Sequence, residues 1–124
     1  MKTGLVIYAS SIEKLAIFYA HVFDLQMIEG DHSYALLVGG DFELVLLETE
    51  VSKKGLNVFE ARENTALKPT FFVDVPFEVI SERIKEKGGA VFPPKNWTFG
   101  GRQVCDAHDC EGNIFQLRVG IRGG

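Results

Sequence analysis

Three histidines, two cysteines and a scatter of carboxylates are the side chains here that could bind a metal, attack a carbonyl or move a proton. Their spacing argues against most such chemistry. His21 falls near the end of a helical stripe, where a favourable contact with the helix dipole accounts for it. His32 sits among turn residues, and His108 shares strand parity with Val104 and Asp106. The three follow no ligand spacing and read as structural or surface groups. Cys105 and Cys110 form neither a CxxC nor a metal-finger pattern, and neither has an evident histidine partner, so they read as reduced thiols. No phosphate-cradling glycine loop, GxGxxG or GxSxG occurs. Asp106 and Glu48 could form an acid/base pair, although most such carboxylates are structural or solvated. No residue is assigned a catalytic role.

The elements that must position these groups come from periodicity. Thr3 to Ala9 reads as a strand. Ser10-Ser11-Ile12-Glu13 then offers an N-cap serine with a glutamate three residues on. Ile12, Leu15, Tyr19, Val22 and Phe23 recur at helical spacing, giving a helix from about Ile12 to Asp24. Gln26 to Glu29, Ser33 to Val38 and Phe42 to Glu48 follow as strands, the last two separated by Gly39-Gly40-Asp41. Glu50 to Lys68 is polar and weakly patterned, a solvated connection with room for one helical turn. Pro69 to Val75 is again a strand, and Pro76 suits the first turn of a helix. Phe77, Ile80 and Ile84 stripe that helix, and Gly88-Gly89 ends it. Ala90 to Phe92 is a short strand, Pro93 to Gly101 a loop. Arg102 to His108 and Asn113 to Val119 pair across a turn in which Gly112 and Asn113 both tolerate positive φ. The order β-α-β-β-β therefore occurs twice: an α+β chain of 124 residues read as one domain, with modules at about 1–49 and 69–124 and a linker at about 50–68.

Composition fits that reading. With 46% hydrophobic residues the chain has material for a real core. Thirteen basic against seventeen acidic side chains give a net charge of −4 without a basic stripe, which argues against nucleic acid. No apolar run is long enough to span a membrane and no signal peptide is evident, so a soluble cytoplasmic protein is expected.

The run Asp109-Cys110-Glu111-Gly112-Asn113 resembles the Asp-Pro-Asp/Glu-Gly-Asn hairpin near the end of glyoxalase/bleomycin-resistance/dioxygenase domains, the vicinal oxygen chelate superfamily, with Cys110 in place of the usual proline. The opening segment adds to it: Ile12-Glu13-Lys14, Phe18-Tyr19 and Val22-Phe23-Asp24-Leu25 look like that family's first helix, with Asp24 replacing a usual glycine. The resemblance implies two βαβββ modules whose curved sheets share a cleft, and often a homodimer. It also implies four metal-ligand positions in the metal-dependent members. Here these fall on Gly4, Leu46, Pro69 or Thr70 (parity favours Thr70), and Gln116, the last standing where those members carry a glutamate. No histidine or glutamate occupies any of them, so no metal and no cofactor are expected.

Parity then nominates cleft-facing residues: Val6 and Tyr8 on the first strand, Leu46 and Glu48 on the fourth, Phe72, and Gln116 with Arg118. Trp97, the single tryptophan, reads equally as a pocket wall and as an anchor for its proline-rich loop. Tyr8, Glu48, Phe72, Trp97, Gln116 and Arg118 are the candidate ligand-binding set, an aromatic wall with a few polar groups. The function expected is small-molecule binding of the bleomycin-resistance kind, holding an aromatic or cationic compound without metal. A divergent lyase, isomerase or dioxygenase, its metal bound by Glu48, Gln116 and further groups, is the alternative from another class. A regulatory or accessory domain with a vestigial cleft is the third.

Overall fold

Ser11 starts the first helix, one residue later than the Ser10–Glu13 spacing suggests. Its Oγ accepts from the Lys14 amide at 3.2 Å, which leaves Glu13 as the acidic residue of the first turn. The structure is a computed structural model and describes residues 1–49 and 63–120; most of the polar connection, 50–62, lies outside the described residues. The chain gathers into two units, Met1–Phe59 and Glu60–Gly124.

In the first unit β1 (Thr3–Ala9), α1 (Ile12–Phe23), β2 (Gln26–Gly30), β3 (Tyr34–Gly39) and β4 (Phe42–Glu48) build a four-stranded sheet in the order β1-β4-β3-β2. β1 runs parallel to β4, and the other pairs are antiparallel. The helix ends at Asp24, whose φ of 55° is left-handed. That is the conformation a helix C-cap often demands, and it gives the physical reason a glycine suits this position. Leu15, Phe18, Tyr19 and Val22 pack α1 onto one face of the sheet, built from Ile7, Ala9, Ala35, Leu37, Leu44 and Leu46, all buried. The other face carries Val6 and Tyr8, both exposed, with Val45 and Leu47 half-buried.

This corrects the parity expected for β4. Leu46 pairs with Ile7 and Glu48 with Ala9, so both belong to the helix-covered face and not to the face of Tyr8. Leu44-Val45-Leu46-Leu47 is apolar on both faces, and such a run does not announce which face is core.

In the second unit β5 (Thr70–Val73), α2 (Phe77–Glu86), β6 (Ala90–Val91), β7 (Thr98–Phe99), β8 (Arg102–His108) and β9 (Ile114–Gly120) form a sheet in the order β5-β9-β8-β6, with β7 also paired to β8. The segment expected as a plain loop from Pro93 to Gly101 therefore contains a two-residue strand, pinned by Thr98–Gln103 and Phe99–Arg102 pairing. Pro76 stands at the N-cap of α2 without a capping side chain. Ile80 and Ile84 bury against the sheet face of Cys105, Ala107, Phe115, Leu117 and Val119. Phe71 meets Phe115 edge-on at 5.6 Å.

The β8–β9 turn is held by one carboxylate. Buried Asp109 accepts through Oδ1 from the amides of Glu111 (2.8 Å) and Asn113 (3.1 Å), and through Oδ2 from Asn113 Nδ2 (2.9 Å). Gly112 supplies the positive φ, at 82°, while Asn113 does not adopt one. The asparagine is there for its amide rather than for its backbone freedom.

Candidate functional site

One face of the second sheet is covered by α2; the opposite face carries polar groups. Register sets their order. On β8 and β9, Asp106 pairs with Gln116 and Val104 with Arg118. Across the parallel pair, Thr70 stands beside Gln116 and Phe72 beside Arg118. Successive side chains alternate, so Asp106, Gln116, Arg118, Thr70 and Phe72 share this face.

Asp106 is its centre and is fully buried. Lys68 Nζ reaches Oδ2 at 2.7 Å, Gln116 Nε2 donates to Oδ1 at 3.1 Å, and Lys95 Nζ lies 3.8 Å from Oδ2 while bonding Glu63 at 2.7 Å. Burial alone would push the Asp106 carboxyl up, but its hydrogen bonds with Lys68, Gln116 and Glu63, together with the Lys68 charge, outweigh it and hold the group below the usual carboxylate range. A charge this buried is tolerated because both oxygens are hydrogen-bonded. Lys95 is raised, chiefly by its bond to Glu63.

The network fixes the Gln116 amide. Asp106 can only accept, so Nε2 must face it; Arg118 Nε can only donate, and it reaches Gln116 Oε1 at 2.7 Å. A glutamate at this position would turn a lone pair toward the Asp106 carboxylate. The neutral amide is thus what the buried aspartate requires, and its acceptor oxygen is engaged by a cation.

Beside this polar row lies an aromatic group. Phe72 is 62% exposed, and the guanidinium carbons of Arg102 and Arg118 stand 5.5 and 5.6 Å from its ring centroid. Arg118 is also 4.7 Å from the Phe99 centroid, and Trp97 lies 4.9 Å from Phe99. Arg102 is tied down by Asp74 at 3.1 Å and by the carbonyls of Val73 and Arg118 at 3.2 Å.

Of the six residues nominated from sequence, four lie in the second unit and two in the first. Phe72, Gln116 and Arg118 meet on one face, with Trp97 one ring removed. Tyr8 lies on the open face of the first sheet, 66% exposed, and Glu48 ends β4 on the helix-covered face. Sequence reasoning missed Lys68, Lys95, Glu63, Phe99 and Arg102. Counting outward from the Asp109 turn places Arg102 and Asp106 on the face of Gln116; nothing local signals that the two lysines, both on connecting segments, reach the same carboxylate.

The positions the resemblance assigns to a metal carry few donor groups. Gly4 has no donor side chain and pairs with Glu43, not Leu46, which is buried hydrocarbon. Thr70 does adjoin Gln116, but the glutamine is committed to Asp106 and Arg118. Among the described residues no group of three or more His, Cys, Asp or Glu is placed to hold an ion. The Lys68 and Arg118 charges would in addition repel a divalent cation at this spot. This donor set does not fit the metal.

Comparison with solved structures identifies the architecture. The fosfomycin resistance protein FosX from Mesorhizobium loti superposes with a TM-score of 0.67 at 17% identity, covering 98% of this chain and 91% of that one. A variant of the FosX from Listeria monocytogenes, complexed with Mn(II) and 1S,2S-dihydroxypropylphosphonic acid, gives 0.69 at 17% identity, covering 97% and 88%. A glyoxalase-related enzyme from Fulvimarina pelagi gives 0.69 at 15% identity, covering 96% and 87%. This chain has the glyoxalase and fosfomycin-resistance fold. It is the fold the Asp109 hairpin and the doubled βαβββ order implied. The sequence matches no protein-family model and no curated protein. Among the described residues no helix is long and apolar enough to cross a membrane.

Proposed function

We propose that the protein binds a small aromatic molecule against the open face of its second sheet, without a metal ion and without transforming it. The observation that carries this reading is Gln116, held between Asp106 and Arg118 at the position where the metal-dependent proteins it resembles carry a glutamate. Exposed Phe72 and Phe99 supply apolar surface beside it, and a few fixed polar groups set among aromatic rings are the usual make-up of a ligand site. Of the two ligand types expected from sequence, the aromatic one is favoured. A cationic ligand would have to approach rings that Arg102 and Arg118 already flank, and like charges repel.

The test is a ligand screen in the presence of chelator, read by quenching of Trp97, the chain's single tryptophan. Aromatic compounds that bind equally with chelator and with added Mn(II) support the reading. Binding that appears only with Mn(II) overturns it and returns the metal-dependent alternative.

A further inference from the structure

Among the described residues, ion pairing on this face leaves one cation over. Arg102 meets Asp74, and Lys68 and Lys95 meet Asp106 and Glu63: four cations, with Arg118 the fourth, against three carboxylates. Arg118 is half-buried. Its Nε is spent on Gln116, yet among the described residues its two terminal nitrogens donate to nothing and it has no acidic partner. It is also held in place. Gln116 fixes one edge of the guanidinium, and Phe72 and Phe99 lie 5.6 and 4.7 Å from its carbon. A planar cation fixed on one edge, with its remaining N–H groups unmatched, is pre-organised to take a second planar group that accepts two hydrogen bonds.

We infer that Arg118 is the anchor for an aromatic monocarboxylate, the carboxylate lying in the plane of the guanidinium and the ring resting on Phe72 and Phe99. The excess of a single positive charge matches a monoanion, and the two exposed rings (62% and 48%) offer a flat apolar seat. A neutral aromatic would leave the Arg118 donors unmatched, and a compact aliphatic dianion would leave the rings bare. This rests on the metal-free binding reading above and specifies its ligand class.

The experiment is calorimetric titration, in chelator, with 2-naphthoate, its neutral isostere 2-naphthamide, the cation 2-naphthylmethylamine and the aliphatic propylphosphonate. Naphthoate is expected to bind about tenfold or more tighter than naphthamide, the gain of a charge-assisted pair. Arg118→Gln should erase that preference. Arg118→Lys, which keeps the charge but not the fork, should retain part of it; melting temperatures of both variants verify folding. Equal binding of naphthoate and naphthamide, or a preference that survives Arg118→Gln, overturns the assignment of Arg118 and leaves metal-free aromatic binding standing. Preference for propylphosphonate or for the amine overturns the ligand class. If naphthoate and naphthamide both bind only after Mn(II) is added, the metal-free reading itself fails.

Discussion

Replacing Asp106 by asparagine changes one atom of a buried carboxylate, and its consequence can be followed down the row. Asp106 accepts from Gln116 Nε2 at 3.1 Å, and Gln116 in turn accepts from Arg118 at 2.7 Å. An asparagine whose oxygen keeps Lys68 points its amide nitrogen at the Gln116 amide nitrogen, donor against donor. Flipping Gln116 only moves the conflict to Arg118, which also can only donate. In that orientation one buried donor is left unmatched whichever way the glutamine turns, at about 1–3 kcal/mol. Loss of the ion pair adds about 1 kcal/mol, since both lysines are partly exposed and can turn to water. Asp106→Asn should therefore destabilise by about 2–4 kcal/mol at neutral pH, and the melting temperature should fall by roughly 10 °C. Chemical denaturation with a matched thermal melt measures both. The sign with pH follows from a folded-state carboxyl held below its ordinary value. Its contribution is complete above the unfolded pKa of about 4 and is lost as pH falls through the folded value, so variant and wild type should converge on acidification. Adding Gln116→Glu to Asp106→Asn restores donor to acceptor at both contacts, and the double variant should recover about 1–2 kcal/mol over Asp106→Asn alone. An Asp106→Asn protein within about 0.5 kcal/mol of wild type, with no pH dependence in the difference, would refute this account of the row.

Phe115 is fully buried against Phe71, and Phe115→Ala should cost about 3–5 kcal/mol in denaturant unfolding. Asp109→Ala strips the acceptor from three donors in the β8–β9 turn; a loss of about 2–4 kcal/mol is expected in the same assay. Burial, reinforced by the neighbouring Asp106 and Glu63 charges, pushes the Cys105 thiol up to about 11. It should resist alkylation in the folded protein at pH 8 and react once unfolded, as mass spectrometry of labelled peptides will show.

How much of this was legible beforehand varied with the physics of each element. β1, β4 and β8 have their observed bounds in the sequence because turn residues bracket apolar or alternating runs, and α1 carries its own cap. The placement of Phe72, Gln116 and Arg118 on one face followed from a period of two on either side of a turn with a clear glycine. The face of β4 did not follow, because Leu44 to Leu47 are apolar on both sides and only the Ile7–Leu46 pairing decides between them. Asp106 could be put on the right face, but not in its role. Lys68 and Lys95 meet it through long side chains from connecting segments, and no periodicity encodes that convergence. β7 is two residues long and held only by β8, too short for any pattern to show.

On the proposed function, Gln116, locked between an aspartate and an arginine, belongs to a site that works without metal. Metal content of protein purified without chelator, followed by thermal-shift titration with nickel, zinc, manganese and iron(II), tests it most directly. No bound metal, and no shift with any of the four, is expected. One equivalent of retained metal, or a clear saturable stabilisation by one of these ions, would contradict it.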